Sequence, residues 1–225
     1  VQTGREMLAA VRGQPTRRAL RLRVGIAAAM AKLVAFRMLL PALDCDETLG
    51  LDCREDHPDR LFAALALHEL DLVLSDSALP PGIDVRAYNH EMGTSTITLF
   101  AAGKLARKLR PGFPESLDGQ PFLMPSRNSV IRHAVERWFE DRDIHPIPVA
   151  EFQDSALQKV FGQAGRGVFP APTVVADEVV RQYRVRPIGE IPEVRERFFA
   201  ITTERRITHP AVAHLVQNAK GQLFG

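Results

Sequence analysis

Cysteine is scarce. The 225-residue sequence has two, Cys45 and Cys53, and their spacing spells neither a C-x-x-C pair nor a disulfide framework. His57 adds a third conceivable zinc ligand, but a tetrahedral structural site needs a fourth, and reduced thiols are the expected state. Charge of one sign is lacking as well. Lys and Arg total 29 against 27 Asp and Glu, a formal charge of +2, which offers polyanions no bulk field. No apolar run reaches the roughly 18 residues of a membrane span, and low-complexity tracts are absent. Signatures of catalysis are missing too: no G-x-S-x-G, H-E-x-x-H or G-x-x-x-x-G-K-[ST] occurs. Gly162, Gly165 and Gly167 link a helix to a strand, the reverse of a phosphate cradle. The first strand carries Gly25 alone, so no dinucleotide fingerprint exists. None of the seven histidines stands beside a Ser or Cys with a supporting carboxylate. Neither an enzyme nor a cofactor is expected.

Apolar residues make up 45% and charged residues 25% of the chain, enough for one large or two modest globular domains. The sequence opens at Val1 without a basic patch and long apolar stretch of the export type. Met7, Leu8 and Val11, ending near Gly13 before Pro15, read as the tail of a helix. Residues 20–26 alternate and then turn apolar, as a strand entering a core does. A helix over 27–43 ending around Pro41, a strand over 49–54, a helix from Asp56 to His68 and a strand over 70–75 follow. Two strands, 83–88 and 94–100, come after Pro80-Pro81-Gly82. The pattern then restarts: strand 122–124, a helix opened by Ser126, strand 147–152, a helix capped by Asp154, strand 167–169, a helix from Thr173, and strand 185–188. Val130, Ala134 and Trp138, with Ile131, Val135 and Phe139, form two i, i+4 apolar rows. A strand over 198–202 and a helix from Thr208 close the chain. Two α/β lobes joined by extended crossings near 94–101 and 196–203 form a clamshell, with strand ends and helix N-termini converging on a cleft.

Three segments stand where they could line that cleft: Ala27-Ala28-Ala29, Ser75-Asp76-Ser77 and Ser126-Arg127-Asn128-Ser129. Each also has a plain reading. Ser126 or Asn128 serves equally as a helix cap, Asp76 as a solvated turn residue, and Arg127 as a surface arginine. Their shared placement at strand ends is what favours a ligand.

Residues 57–62, HPDRLF, and 70–76, LDLVLSD, resemble the helix and following strand of the effector-binding half of LysR-type transcriptional regulators. Residues 151–162, 168–173, 200–205 and 209–212 are similar to a subgroup of that family that activates sodium/proton antiporter genes. The resemblance implies an α/β fold of two Rossmann-like lobes joined by two crossing strands, the plan of type II periplasmic binding proteins. It implies the end of a linker helix at 1–15, lobe I at 16–98 plus 199–225, and lobe II at 99–198. An N-terminal winged helix-turn-helix outside this sequence would contact promoter DNA. A small effector, Na+ or Li+ in the antiporter subgroup, would sit between the lobes of a cytoplasmic homodimer or homotetramer. By position, the family's pocket corresponds to Ala27, Ala28, Ser75, Asp76, Thr96, Ser126, Arg127, Asn128, Ser129 and Pro172. The first turn is often hydroxyl-bearing in the family, and three alanines here disfavour a small carboxylate. Asp76, Ser75 and Asp154 offer the hard oxygens a sodium ion needs. The alternative is a clamshell solute-binding protein of a transporter, with a small organic ligand.

Overall fold

Residues 21–45, 49–80, 86–127 and 129–224 are described by a computed structural model. Strand β1 (Arg21–Ala27) buries Leu22 and Val24 completely and runs parallel to both β2 (Gly50–Asp56) and β3 (Leu72–Ser75). All four residues of β3 are buried, as a strand covered on both faces requires. Helix α1 (Lys32–Cys45) connects β1 to β2, and α2 (Pro58–Ala66) connects β2 to β3. Pro58 occupies the first turn of α2, where its missing N–H costs no helical bond. At Gly25 the layers press together: a Cβ there would lie 2.8 Å from Leu70 Cδ1 and 3.0 Å from Leu61 Cδ2.

Helix α1 starts five residues later than its alanines suggest. Ala27 ends β1, Ala28 donates its N–H to Asp56 O at 3.1 Å, and Met30 donates to Ala27 O at 2.9 Å. Strand pairing and this turn outweigh alanine's helix propensity. The stop expected near Pro41 does not occur either, because α1 continues to Cys45. Buried Met38, Leu39 and Ala42 hold that turn to the core despite the proline's lost bond.

Of the strand expected over 83–88, residues 83–85 lie outside the described ones, 86 and 87 form no strand, and Tyr88 is the first residue of the next strand. Strand β4 (Tyr88–Ala102) then runs unbroken for 15 residues, longer than the stretch 94–100 predicts. The expected strands 185–188 and 198–202 are the two ends of one 18-residue strand, β8 (Val185–Thr202). These two pair antiparallel from Tyr88 opposite Thr202 to Ala102 opposite Val185. Between Thr96, opposite Arg195, and Ile97, opposite Ile191, β8 skips three residues. The ribbon is irregular there, between its two halves.

Beyond β4 come α3 (Gly103–Leu109), which the sequence reading leaves without an element, β5 (Pro121–Pro125), α4 (Val130–Glu140), β6 (Ile147–Phe152), α5 (Ser155–Gln163), β7 (Phe169–Pro172) and α6 (Ala176–Tyr183). The strand expected at 167–169 begins at Phe169, and Thr173 opens a 3-10 turn ahead of α6. Ser126 does not open α4, which begins at Val130 with Ser129 at its N-cap position. The last helix is α7 (Pro210–Asn218). One sheet has the order β2-β1-β3-β8-β4-β7, and β5-β6 form a parallel pair joined to Val168 by a bridge from Phe122. An apolar core runs from β1, β3, α1, α2 and α7 through Phe100, Phe169, Val179 and Tyr183. A second lies around Ile97, Leu99, Phe122, Trp138, Phe139 and Ile191. This is the type II periplasmic-binding-protein plan. No described helix is long and apolar enough to cross a membrane.

Candidate functional site

The β1–α1 turn, the β5–α4 loop, the N-terminus of α5, the end of β7 and the inner face of β8 meet between the lobes. A small cavity of about 30 Å3 lies there, lined among others by Ala29, Ala31, Ser126, Ser129, Ser155, Lys159, Pro172 and Glu196. That is room for one or two waters, far below the 300 Å3 or more typical of organic-ligand pockets.

Charge is concentrated around it. Glu196 is 1%, Lys159 3% and Asp76 6% exposed, levels that charged side chains reach only when paired or functional. Burial drives the Glu196 carboxyl well above the usual range; the nearby Asp76 charge adds to this and Lys159 opposes it. Burial likewise pushes the Asp76 carboxyl up, against its own backbone N–H and the Lys32 charge. Lys159 is pushed down to about 8 by burial, with Glu196 and Asp154 pulling the other way. Its Nζ donates to Ser155 O at 2.9 Å, the carbonyl one turn back on α5. Two buried oxygens at this place have no hydrogen-bond partner, Glu196 Oε2 and Ser155 Oγ. Gln158 is fixed by donating Nε2 to Leu123 O at 2.8 Å.

The anticipated residues distribute as follows. Ser126, Ser129 and Pro172 line the cavity, and Asp76 stands buried close enough for Glu196 to feel its charge. Ser75 is buried, and its Oγ accepts from Ser77 N at 3.1 Å. Ala27 and Ala28 shape the turn, while the neighbouring Ala29 and Ala31 reach the cavity. The Thr96 hydroxyl donates to Glu190 on the ribbon. Arg127 is turned away: its side chain is 82% exposed and 3.8 Å from Glu151. Asn128 lies outside the described residues. Asp154 is exposed, with Oδ1 accepting from Ala156 N at 2.8 Å as the cap of α5. Among the described residues no three His, Cys, Asp or Glu side chains converge to hold a metal ion.

Lys159 and Glu196 are the residues that sequence reasoning missed. A signal existed for Glu196: in β8, Val194, Glu196 and Phe198 alternate on the buried face, so period two alone puts a carboxylate inside. The signal for Lys159 is the inverted polarity of α5. Its inward residues are Gln158, Lys159 and Gly162, while Leu157, Val160 and Phe161 are 48%, 50% and 41% exposed.

The LysR substrate binding domain profile matches residues 16–223. The transcriptional activator protein NhaR of Escherichia coli K12 is 29% identical over 201 residues, covering 89% of this chain and 66% of that protein. NhaR of Shigella flexneri gives the same figures. The chain thus spans slightly less than two-thirds of these relatives' length. Among solved structures, the regulatory domain of HypT from Salmonella typhimurium superposes with a TM-score of 0.66 at 14% identity, covering 92% of this chain and 99% of that one. The Synechocystis CcmR regulatory domain in complex with 2-PG superposes at 0.65 and 16% identity, over 90% of this chain and 98% of that one. With the two-lobe fold and the profile match over nearly its full length, the chain belongs to the LysR substrate-binding domain family.

Proposed function

We propose that this chain is the sensing domain of a cytoplasmic LysR-type transcriptional activator, that its effector is Na+ or Li+ held between the lobes, and that its target is a sodium/proton antiporter gene. The observation that carries the effector reading is a cavity of about 30 Å3 lined by Ser155 and the buried Glu196, with Asp76 buried close enough for Glu196 to feel its charge. Asp76, Glu196 Oε2 and Ser155 Oγ supply hard oxygens of the kind a small monovalent cation prefers. The similarity to NhaR supports the antiporter target. Ser75 and Asp154, already engaged with Ser77 and the α5 backbone, are left as supports.

The physical mechanism is a population shift. Asp76 follows β3 on one side of the cleft, whereas Ser155 begins α5 on the other, so an ion shared between them binds best when the lobes are together. It shifts the lobe equilibrium by its difference in affinity for the two arrangements and by no more. Promoter DNA would be contacted by another part of the protein, since +2 is little charge for that task.

A homodimer is the proposed assembly unit. Phe36, Leu40 and Leu43 leave α1 with a row of side chains 52%, 41% and 43% exposed, and α5 carries the second row, Leu157, Val160 and Phe161. Antiparallel pairing of α1 with α5 of a second copy would cover both rows twice about a two-fold axis.

Sodium-23 NMR tests the site directly. The chain should broaden the sodium resonance, Li+ should compete while K+ does not, and Asp76→Asn should abolish the broadening. Equal broadening by the variant would remove Asp76 from the ligand set.

A further inference from the structure

The cleft contains more than acids: Lys159 is buried there, and among the described residues it makes no carboxylate contact. Lys159 Nζ donates to a backbone carbonyl of its own helix, while Glu196, which lies across from it on β8, keeps Oε2 unpartnered at 1% exposure and faces the cavity. Lys159 therefore acts on the site through its charge. The other charged groups around it are committed. Lys32 Nζ lies 2.6 Å from Glu55 and donates to Ala28 O. Asp154 is exposed to water and caps α5.

We propose that Lys159 sets the valence selectivity of the cleft, so that the site accepts one monovalent cation and refuses divalent ions. This inference rests on the cleft being the cation site proposed above. Glu196 and Lys159 together carry no net charge, whether as carboxylate and ammonium or both neutral. Asp76 then leaves the site one negative charge in excess. A single Na+ or Li+ cancels that excess, whereas Ca2+ or Mg2+ would leave one uncompensated positive charge in a nearly dry space, which burial strongly disfavours. Without the lysine charge, two carboxylates and a hydroxyl remain with two negative charges, the electrostatic match for a divalent ion.

The test is thermal unfolding of the wild type, Lys159→Met and Glu196→Gln in NaCl, CaCl2, MgCl2 and choline chloride at matched ionic strength. Methionine keeps the length and apolar stem of the side chain and removes its charge. The wild type should rise in NaCl alone, by roughly 5–10 °C at a hundredfold excess over Kd. Lys159→Met should respond to Ca2+ or Mg2+ by a comparable shift. Glu196→Gln, with no net charge left in the site, should lose the sodium response, and it keeps the inference testable where Lys159→Met fails to fold. A folded Lys159→Met chain indifferent to both divalent ions overturns the inference, as does a Glu196→Gln chain that answers sodium like the wild type. A wild type blind to sodium beside a Lys159→Met chain that answers Ca2+ would overturn the sodium reading and leave the role of Lys159 standing.

Discussion

Lys159 and Glu196 place opposite slopes on the pH dependence of stability. Burial lowers Lys159 to about 8 in the folded chain, below the unfolded value near 10.4. Between those values the unfolded chain binds more protons, so stability rises with pH across roughly 8–10.4. Glu196 is raised above its unfolded value, so its contribution is fully present below about pH 4.3 and is lost as pH rises through its folded value. Urea midpoints measured from pH 8 to 10 should therefore climb for the wild type, by about 2 kcal/mol in unfolding free energy. That climb should be absent from Lys159→Met. A Lys159→Met chain with the same alkaline climb would show that another group causes it. At Gly25, where an added Cβ would fall 2.8 Å from Leu70 Cδ1, Gly25→Ala should destabilise by about 1–3 kcal/mol, and a chevron or melt showing no loss would mean that α2 shifts freely. Of the residues that the strand ends suggest, Ser126, Ser129 and Pro172 line the cavity, and Asp76 is buried just after β3. Lys159 and Glu196 were not found because they come from the inner face of a helix and the middle of a long strand, which only the assembled lobes bring together.

Elements were legible where local signals agreed. Asp154 caps α5, Pro58 opens α2, and Leu72–Ser75 reads as buried strand, each through short-range chemistry that survives in the fold. The errors fall where distant contacts decide. Ala28 is held in a turn by Asp56 of a neighbouring strand, and β4 and β8 outrun their apolar segments because each completes the other's ladder. Helix α5 is the clearest case of a pattern whose meaning lies outside the chain. Its apolar face points to solvent, and a second copy is the proposed cover. Phe36→Glu combined with Val160→Glu should yield a monomer by sedimentation equilibrium, with the melting temperature of the separated chain little changed because neither residue is part of the core. A persistent dimer would place the interface elsewhere. Asp154→Ala should cost about 1 kcal/mol through loss of the α5 cap, measurable in denaturant melts.

Across the whole molecule, the lobes are linked by more than the β4–β8 ribbon. Arg37 of α1 forms an ion pair with Glu178 of α6, and these side chains are 35% and 14% exposed. Partial exposure limits such a pair to about 1 kcal/mol, a modest term that biases the lobes toward each other without locking them. An Arg37→Ala chain should require more sodium for the same response, because the ion must then supply what the pair contributed. An unchanged sodium midpoint would show that the pair does not act on the lobe equilibrium. The overall architecture was the most legible scale of all, since the α/β order and the two crossings follow from periodicity. The narrowness of the cleft was not legible, because it depends on how far the lobes close.

Thermal unfolding of the wild-type chain in NaCl, LiCl, KCl and choline chloride at matched ionic strength tests the central claim most directly. Occupation of a site between the lobes at a hundredfold excess over Kd adds roughly 2.7 kcal/mol, a rise of about 5–10 °C for a domain of this size. Na+ and Li+ should produce it while K+ and choline do not. Identical melting in all four salts would contradict a monovalent-cation sensor in this cleft.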